Sequence, residues 1–426
     1  MNKIIILFLC LCCAVSAVMA NNSYAIDKEV MNPTDANIFG HVVDKSTGEH
    51  MPGITIVLKG TTIGTATDDS GHYMLKNLPE GEFTVEVSFI GFKTVTKKVK
   101  TQKGKTQELN FELEEDLISL EGVVVSANRN ETKRRLAPTL VKVLSPTMFE
   151  KTNSTTLAQG LVFQPGVRVE NDCQNCGYSQ VRINGMEGKY TQILIDSRPI
   201  FSALAGVYGL EQIPANMIER VEVIRGGGSA LFGSSAIAGT INIITKEPIR
   251  NSGTFGHTIS NMDGSGAYDN NTTLNLSWVS SDNKMGAYIY GQNRYRSAWD
   301  SNGDGFSELP KLKNQTIGFN GFYKTSAYSK LNLEYHHMEE FRRGGNRFDL
   351  PPHIAEDANL NGSGEPGLVE QIEHSINTGG LKFSAFSKDQ KHAFNAYASA
   401  QHIVRDSYYS AYGHTTDFTG VVGAQY

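Results

Sequence analysis

Long apolar runs are scarce in this 426-residue sequence: beyond the N-terminus, no segment offers the roughly 20 consecutive apolar residues that a membrane-crossing helix requires. If the chain spans a membrane, it must do so as a β-barrel, the other architecture that satisfies its own backbone. Cysteine is equally sparse. Of five, Cys10, Cys12 and Cys13 fall within the N-terminal run, which leaves Cys173 and Cys176. Excess charge of one sign is missing too, with 39 Lys and Arg against 44 Asp and Glu. A net charge of −5 gives no basis for nucleic-acid binding.

The N-terminus reads as a signal peptide over residues 1–20. Lys3 supplies the positive end, Ile4 to Val18 the short apolar stretch, and Val18 and Ala20 the small residues before a cleavage site. A lipoprotein would need a small residue ahead of a cysteine, but Leu9, Leu11 and Cys12 stand there. Export to an oxidising compartment keeps a Cys173–Cys176 disulfide open. So are a metal or thiol contact with a ligand, and chemically inert cysteines.

The expected fold class is mainly β, with an N-terminal β-sandwich, an α+β domain and a partial antiparallel transmembrane barrel. In residues 37–115, short β-type runs such as Gly53-Ile-Thr-Ile-Val-Leu58 and Phe83-Thr-Val-Glu-Val-Ser-Phe89 alternate with turn residues. The order of those turns resembles the carboxypeptidase regulatory-like domain, an accessory module without catalysis. Residues 116–136 form a linker whose Leu120-Glu-Gly-Val-Val-Val-Ser-Ala127 predicts one lone, exposed strand.

Residues 137–246 mix signals. Ser154 to Leu161 reads as a capped short helix, and Gln180–Asn184, Gln192–Asp196, Arg220–Ile224 and Thr240–Thr245 read as strands. From residue 251 to 426 the period becomes two, with Leu274, Leu276 and Trp278 against Asn275 and Ser277, and Leu331, Leu333 and Tyr335 against Asn332, Glu334 and His336. Short turns near 281–284, 325–329 and 388–391 alternate with longer loops near 298–313 and 341–374. Outer-membrane barrels show that asymmetry.

The segment Ile218-Glu-Arg-Val-Glu-Val-Ile-Arg-Gly-Gly-Gly-Ser-Ala-Leu-Phe-Gly-Ser-Ser-Ala-Ile-Ala-Gly-Thr-Ile-Asn-Ile-Ile-Thr245 strongly resembles the plug domain of TonB-dependent outer-membrane receptors. Gln164-Pro-Gly-Val167, Val181-Arg-Ile-Asn-Gly185 and Ile193-Leu-Ile-Asp196 extend the resemblance across the domain. Phe232 and Ala238 replace a usual Tyr and Gly. A phosphate-binding glycine loop fails for want of Gly-Lys-Ser/Thr and a receiving helix. The charges Glu219, Arg220, Glu222 and Arg225 fit either a plug-to-wall interface or a solvated strand face.

The resemblance implies no enzyme. It implies a receptor in the outer membrane, surrounded by its lipid, that imports a scarce nutrient chelate: a ferric siderophore, haem or cobalamin. A TonB-type protein of the inner membrane would supply the energy by pairing with the strand Val123, Val124, Val125, Ser126 and Ala127 on the periplasmic side. Oligosaccharide import by a starch-utilisation-type receptor is the alternative, and an exported enzyme or adhesive β-protein the second. Ligand contact maps by loop onto Asn171, Asp172, Gln174 and Tyr178 in one plug loop, and onto Ser202 and Tyr208 in another.

No cofactor is required. Asp300, Asn302 and Asp304 recur every second residue before Gly305, with Glu308 beyond, so their oxygens could converge on calcium. A calcium-ordered loop resembles that of the family's cobalamin receptors, and an ordinary polar loop is the plain alternative. His336-His-Met-Glu339 and His353-Ile-Ala-Glu356 lack the rest of a zinc motif and are expected to line the lumen or an outer loop.

One expectation concerns extent. The family's barrels hold about 22 strands, which at roughly 20 residues per strand and connection need on the order of 440 residues. The 176 residues 251–426 have room for about eight such strands, so the sequence is expected to be a fragment or a truncated product.

Overall fold

A computed structural model describes residues 34–426, apart from 90, 117–122, 125, 127–131, 134–140, 174–176, 200–212, 229–231, 234 and 390. Strands dominate, in three bodies that follow one another along the chain.

The first body is the sandwich. Asn37–Asp44 pairs antiparallel with His72–Leu75 and parallel with Thr106–Glu108 and Phe111–Leu113. The facing sheet runs in the order Gly64–Ala66, Thr55–Leu58, Gly81–Ser88, Val95–Thr101. Alternation supplies the core: Ile38 and Val42 from the first sheet meet Ile56, Leu58, Val85 and Val87 from the second, with Phe111 and Leu113 closing one side. Each such side chain contributes about 1.5–3 kcal/mol by leaving water. The sandwich rests on the third body, where Thr62 donates its amide to the Ala327 carbonyl at 2.8 Å and Arg250 meets Asp69 at 2.6 Å.

The linker departs from the expected lone strand. Val123–Val124 pairs antiparallel with Thr132–Lys133, and Ser126 is fully buried. A strand standing alone leaves its main-chain donors and acceptors without protein partners, and the short antiparallel pairing satisfies some of them.

The second body is built on a five-stranded sheet in the order Val141–Leu144, Ile218–Arg225, Gly239–Thr245, Thr191–Ile195, Arg198–Pro199. The Thr191–Ile195 and Gly239–Thr245 pair is parallel and the other pairs antiparallel. Both central strands are covered on their two faces, which accounts for runs such as Thr-Ile-Asn-Ile-Ile in place of alternation. Gly239 is required here, because a Cβ would stand 2.4 Å from the Ile224 carbonyl oxygen. A separate hairpin, Val167–Cys173 with Tyr178–Ile183, projects beyond the sheet. The expected helix at Ser154 begins later, at Leu157, because Thr156 is the residue whose hydroxyl accepts from the Gln159 amide.

The third body is a wall of eight sequential antiparallel strands, from Ser252–Met262 to Tyr412–Gln425. Among the described residues it is an open sheet, its first and last strands each pairing with one neighbour. Leu274, Leu276, Trp278, Ile289, Ile317 and Leu333 are exposed on the outer face. Tyr288 and Tyr290 turn inward and join the core of the second body, which the wall's concave side therefore grips. One end carries the tight turns 280–284, 327–328 and 387–392. The opposite end carries connections 297–310 and 346–368, but also short ones at 263–266 and 410–411. The loop expected over 341–374 is thus shorter, because Ser329–Gly345 and Val369–Phe386 keep pairing to Gly345 and Val369. No helix among the described residues is long and apolar enough to cross a membrane.

Candidate functional site

Among the described residues, polar side chains tie the second body to its surroundings at several places, of which three clusters are the most buried or the nearest to predicted site residues; those residues fall in the first and the third.

The first lies at the loop end. Asn171, Asp172 and Cys173 occupy the end of Val167–Cys173, where the register slips between Asn171 and Cys173. Tyr178 opens the returning strand, while Gln174 and Cys176 lie outside the described residues. Between them Gly177, in a left-handed conformation at φ +63°, presents its carbonyl to Arg342 Nη1 at 2.6 Å. A Cβ at Gly177 would stand 2.7 Å from the Pro310 ring, so plug hairpin and wall loop are in close contact. Arg342 is 1 % exposed, and its Nε donates to Glu340 Oε1 at 2.8 Å. Glu340 also accepts from Asn314 Nδ2 at 3.2 Å, and Arg296 Nε donates to the Pro310 carbonyl. Such a buried, multiply bonded pair positions backbone on both sides of the contact.

Pro310 ends the connection that holds the acidic turn. Carboxylate oxygens of Asp300, Asp304 and Glu308 all lie within 4.8 Å of one another. Asp300 accepts from the Gly303 and Gly305 amides, Asp304 from Phe306 and Glu308 from Ser301. Asn302 Oδ1 likewise accepts from the Asp304 amide, and its Nδ2 donates to the Asp304 carboxylate. Hard-cation chemistry is available to the three carboxylates. Ser202 and Tyr208, assigned to the second ligand loop, lie outside the described residues.

The second cluster is near the turn end. Arg198 Nη2 meets Glu334 Oε2 of the wall at 2.5 Å and Asp196 Oδ2 at 3.6 Å. Arg198 is 7 % exposed, and the gap around it is lined by Tyr290, Asn320 and Gln401. Burial and then the Glu334 carboxylate push the Asp196 carboxyl up, an effect that Arg198 and two bonds from Thr245 offset in part. Nearby, the Lys330 ammonium holds the Glu247 carboxyl below the usual range.

The third cluster joins linker to plug. Ser126 donates its amide (2.8 Å) and hydroxyl (2.6 Å) to Glu222 Oε2. Asn242 Nδ2 donates to the Ser126 hydroxyl at 2.8 Å, and Arg220 Nε to Glu222 Oε1 at 2.9 Å. Glu222, fully buried, is therefore not on a solvated face, and these bonds tie it to the linker. Of the other coupling residues, Val123 and Val124 form the hairpin strand, and Val125 and Ala127 lie outside the described residues.

In the first of the two H-x-x-E segments the side chains do not converge. His336 and Glu339 stand on opposite faces of one strand by parity. On the loop-end helix Pro352–Glu356, His353 meets the Tyr412 hydroxyl and Glu356 accepts from Tyr408. Sequence reading missed the roles of Arg198, Arg342 and Glu340. For Glu340 and Arg342 the available signal was charge at inward parity, which Arg294, Arg296 and Glu334 share and which therefore does not single them out.

Comparison with known proteins agrees with this geometry. Residues 38–125 match the CarboxypepD_reg-like domain, and residues 133–240 match the TonB-dependent Receptor Plug Domain. The vitamin B12 transporter BtuB of Vibrio vulnificus is 33% identical over 172 residues, 39% of this chain and 27% of that protein. The ferric enterobactin receptor of Pseudomonas aeruginosa is 32% identical over 140 residues, 30% of this chain and 18% of that protein. Among solved structures, the siderophore receptor PirA from Acinetobacter baumannii superposes with a TM-score of 0.54 at 20% identity, covering 68% of this chain and 45% of PirA. The chain spans about a quarter of the length of the curated relative first named. These relatives are transporters and receptors, not enzymes. From sequence to wall, the chain thus carries a carboxypeptidase regulatory-like domain followed by the plug domain of the TonB-dependent receptors, set against strands of the barrel fold.

Proposed function

We propose that this chain serves energy-coupled import of a nutrient chelate across the outer membrane, with cobalamin or a ferric siderophore as the ligand class and haem beside them. The observation that carries the reading is the plug domain, tied at one end to a strand-forming linker through Ser126 and Glu222 and at the other to the wall through Gly177 and Arg342. The names of the relatives, vitamin B12 transporter and ferric enterobactin receptor, support the ligand class. In this reading the turn end, the linker and the sandwich face the periplasm, and the loop end faces outward. Asn171, Asp172, Gln174, Tyr178, Ser202 and Tyr208 meet the ligand, and a Cys173–Cys176 disulfide locks the first loop. Deleting the gene should abolish growth on limiting cobalamin or on a ferric siderophore as sole iron source. Normal growth on both, with loss of growth on a glycan, would replace this ligand class by oligosaccharides.

Coupling is assigned to Val123, Val124, Val125, Ser126 and Ala127, on which a TonB-type partner adds its own strand. The hairpin bond between Val123–Val124 and Thr132–Lys133 must then be exchanged for the partner. Val124→Pro removes an amide and stiffens the segment. In the gene's natural context it should leave ligand binding intact while uptake falls to background, as read by radiolabelled ligand. Uptake at the parental rate would reassign the strand.

Calcium is assigned to Asp300, Asn302, Asp304 and Glu308, a reading supported by the three carboxylates lying together. Added calcium should slow proteinase K cleavage of residues 297–310, and Asp304→Asn should remove that protection. Cleavage indifferent to calcium leaves the plain polar loop.

A further inference from the structure

The regulatory-like domain carries a side-chain cluster that the transport reading does not use. His41 and His72 are direct cross-strand partners, and His50 bridges back beside them to Val43, which shares the face of His41. Ring centres lie 4.9 Å apart for His41 and His50, 5.0 Å for His50 and His72, and 5.8 Å for His41 and His72. Close approach is enforced at Gly71, whose φ is +76° and where a Cβ would stand 2.7 Å from that of His50.

Hydrogen bonding fixes the tautomers. Nδ1 of His50 is 2.9 Å and Nδ1 of His72 is 3.0 Å from the Ser70 carbonyl oxygen. A carbonyl only accepts, so each Nδ1 carries the proton, and in the neutral ring each Nε2 keeps its lone pair. The Ser70 hydroxyl donates to Asp68 at 2.6 Å, which leaves it as a second acceptor for His72 Nδ1. Metal-binding histidines are held in this way, one ring nitrogen donating to a carbonyl and the other facing the ion.

We propose that His41, His50 and His72 form a surface site for a divalent ion of borderline softness, Zn²⁺, Ni²⁺ or Cu²⁺. Nε2 of His50 and His72 are two of its ligands, and the His41 ring is the third. Three imidazoles on one ion, each at about 2.0–2.1 Å, place their ring centres roughly 5 Å apart. The backbone already sets that spacing. As placed, the three rings do not offer one nitrogen each within 4.8 Å of one another, a spacing that the carboxylate oxygens of Asp300, Asp304 and Glu308 do reach. Binding therefore turns the rings, and where a turn takes Nδ1 of His50 or His72 away from the Ser70 carbonyl, the loss of that hydrogen bond is part of the cost.

The test uses the full chain purified in detergent. Calorimetry with Zn²⁺ should give one ion per chain beyond any bound at the acidic loop, and Co²⁺ should develop the visible absorption of histidine-ligated cobalt. His50→Gln with His72→Gln should weaken Zn²⁺ binding by about 10–100-fold, and the cobalt bands should vanish, while protease resistance of the sandwich is unchanged. Should the double variant lose that resistance, the exposed His50→Gln alone decides on the same two readouts. Undiminished binding in these variants would overturn the proposal, as would its loss in Asp300→Asn with Asp304→Asn.

Discussion

Replacing Arg342 by Ala is expected to destabilise the contact between plug hairpin and wall by about 3–5 kcal/mol, the cost of removing one partner from a buried ion pair. The guanidinium is bonded to Glu340 and to the Gly177 carbonyl, and Glu340 is itself 3 % exposed. Truncation withdraws a cation from a buried carboxylate and leaves a backbone acceptor short of a donor. Both losses are desolvation penalties, which exceed the net worth of the bonds when made. The measurement is the temperature at which the hairpin becomes open to protease, compared with that of the parent chain. Arg342→Met with Glu340→Leu removes both charges while keeping volume, and should recover most of the loss. If the single and double variants melt alike, the charge pair is not what holds the hairpin.

Arg198→Ala should have the second largest effect, roughly 3 kcal/mol at neutral pH, and its signature is a pH dependence. The substitution leaves Asp196 and Glu334 facing one another without the cation between them. Asp196 already has its folded pKa raised. A raised carboxyl favours the folded state below its unfolded pKa, and that contribution is lost as pH rises through the folded value. Removing Arg198 raises it further, so the deficit of the variant is full above the folded pKa and shrinks as the pH falls through it. Denaturant midpoints for the plug should therefore converge between variant and parent under mild acid. A deficit that does not change with pH would mean that Arg198 acts by packing.

Local pattern explains what the sequence revealed. The wall was legible because its alternation is set by two different environments, as at Leu274 to Trp278. The plug was legible because Gly239 and its neighbours satisfy tight backbone contacts that few sequences meet. The ties between bodies were not legible. Ser126 and Glu222 are 96 residues apart, and Arg342 and Gly177 are 165 apart. Nothing in local periodicity encodes such a pairing.

The Ser126 contact also has a mechanical meaning. Two donors of a single residue converge on one carboxylate oxygen, so tension on the linker loads both bonds at once and neither can yield before the other. Bonds to an ionised acceptor contribute about 1.5–3 kcal/mol each, and here they would rupture together within a short extension. Pulled from its N-terminal side in a force spectrometer, the linker should first unzip softly through Val123–Val124 and then resist up to one sharp break. Such a connection has a threshold: thermal jostling leaves the plug undisturbed, and only a sustained pull reaches its central strands.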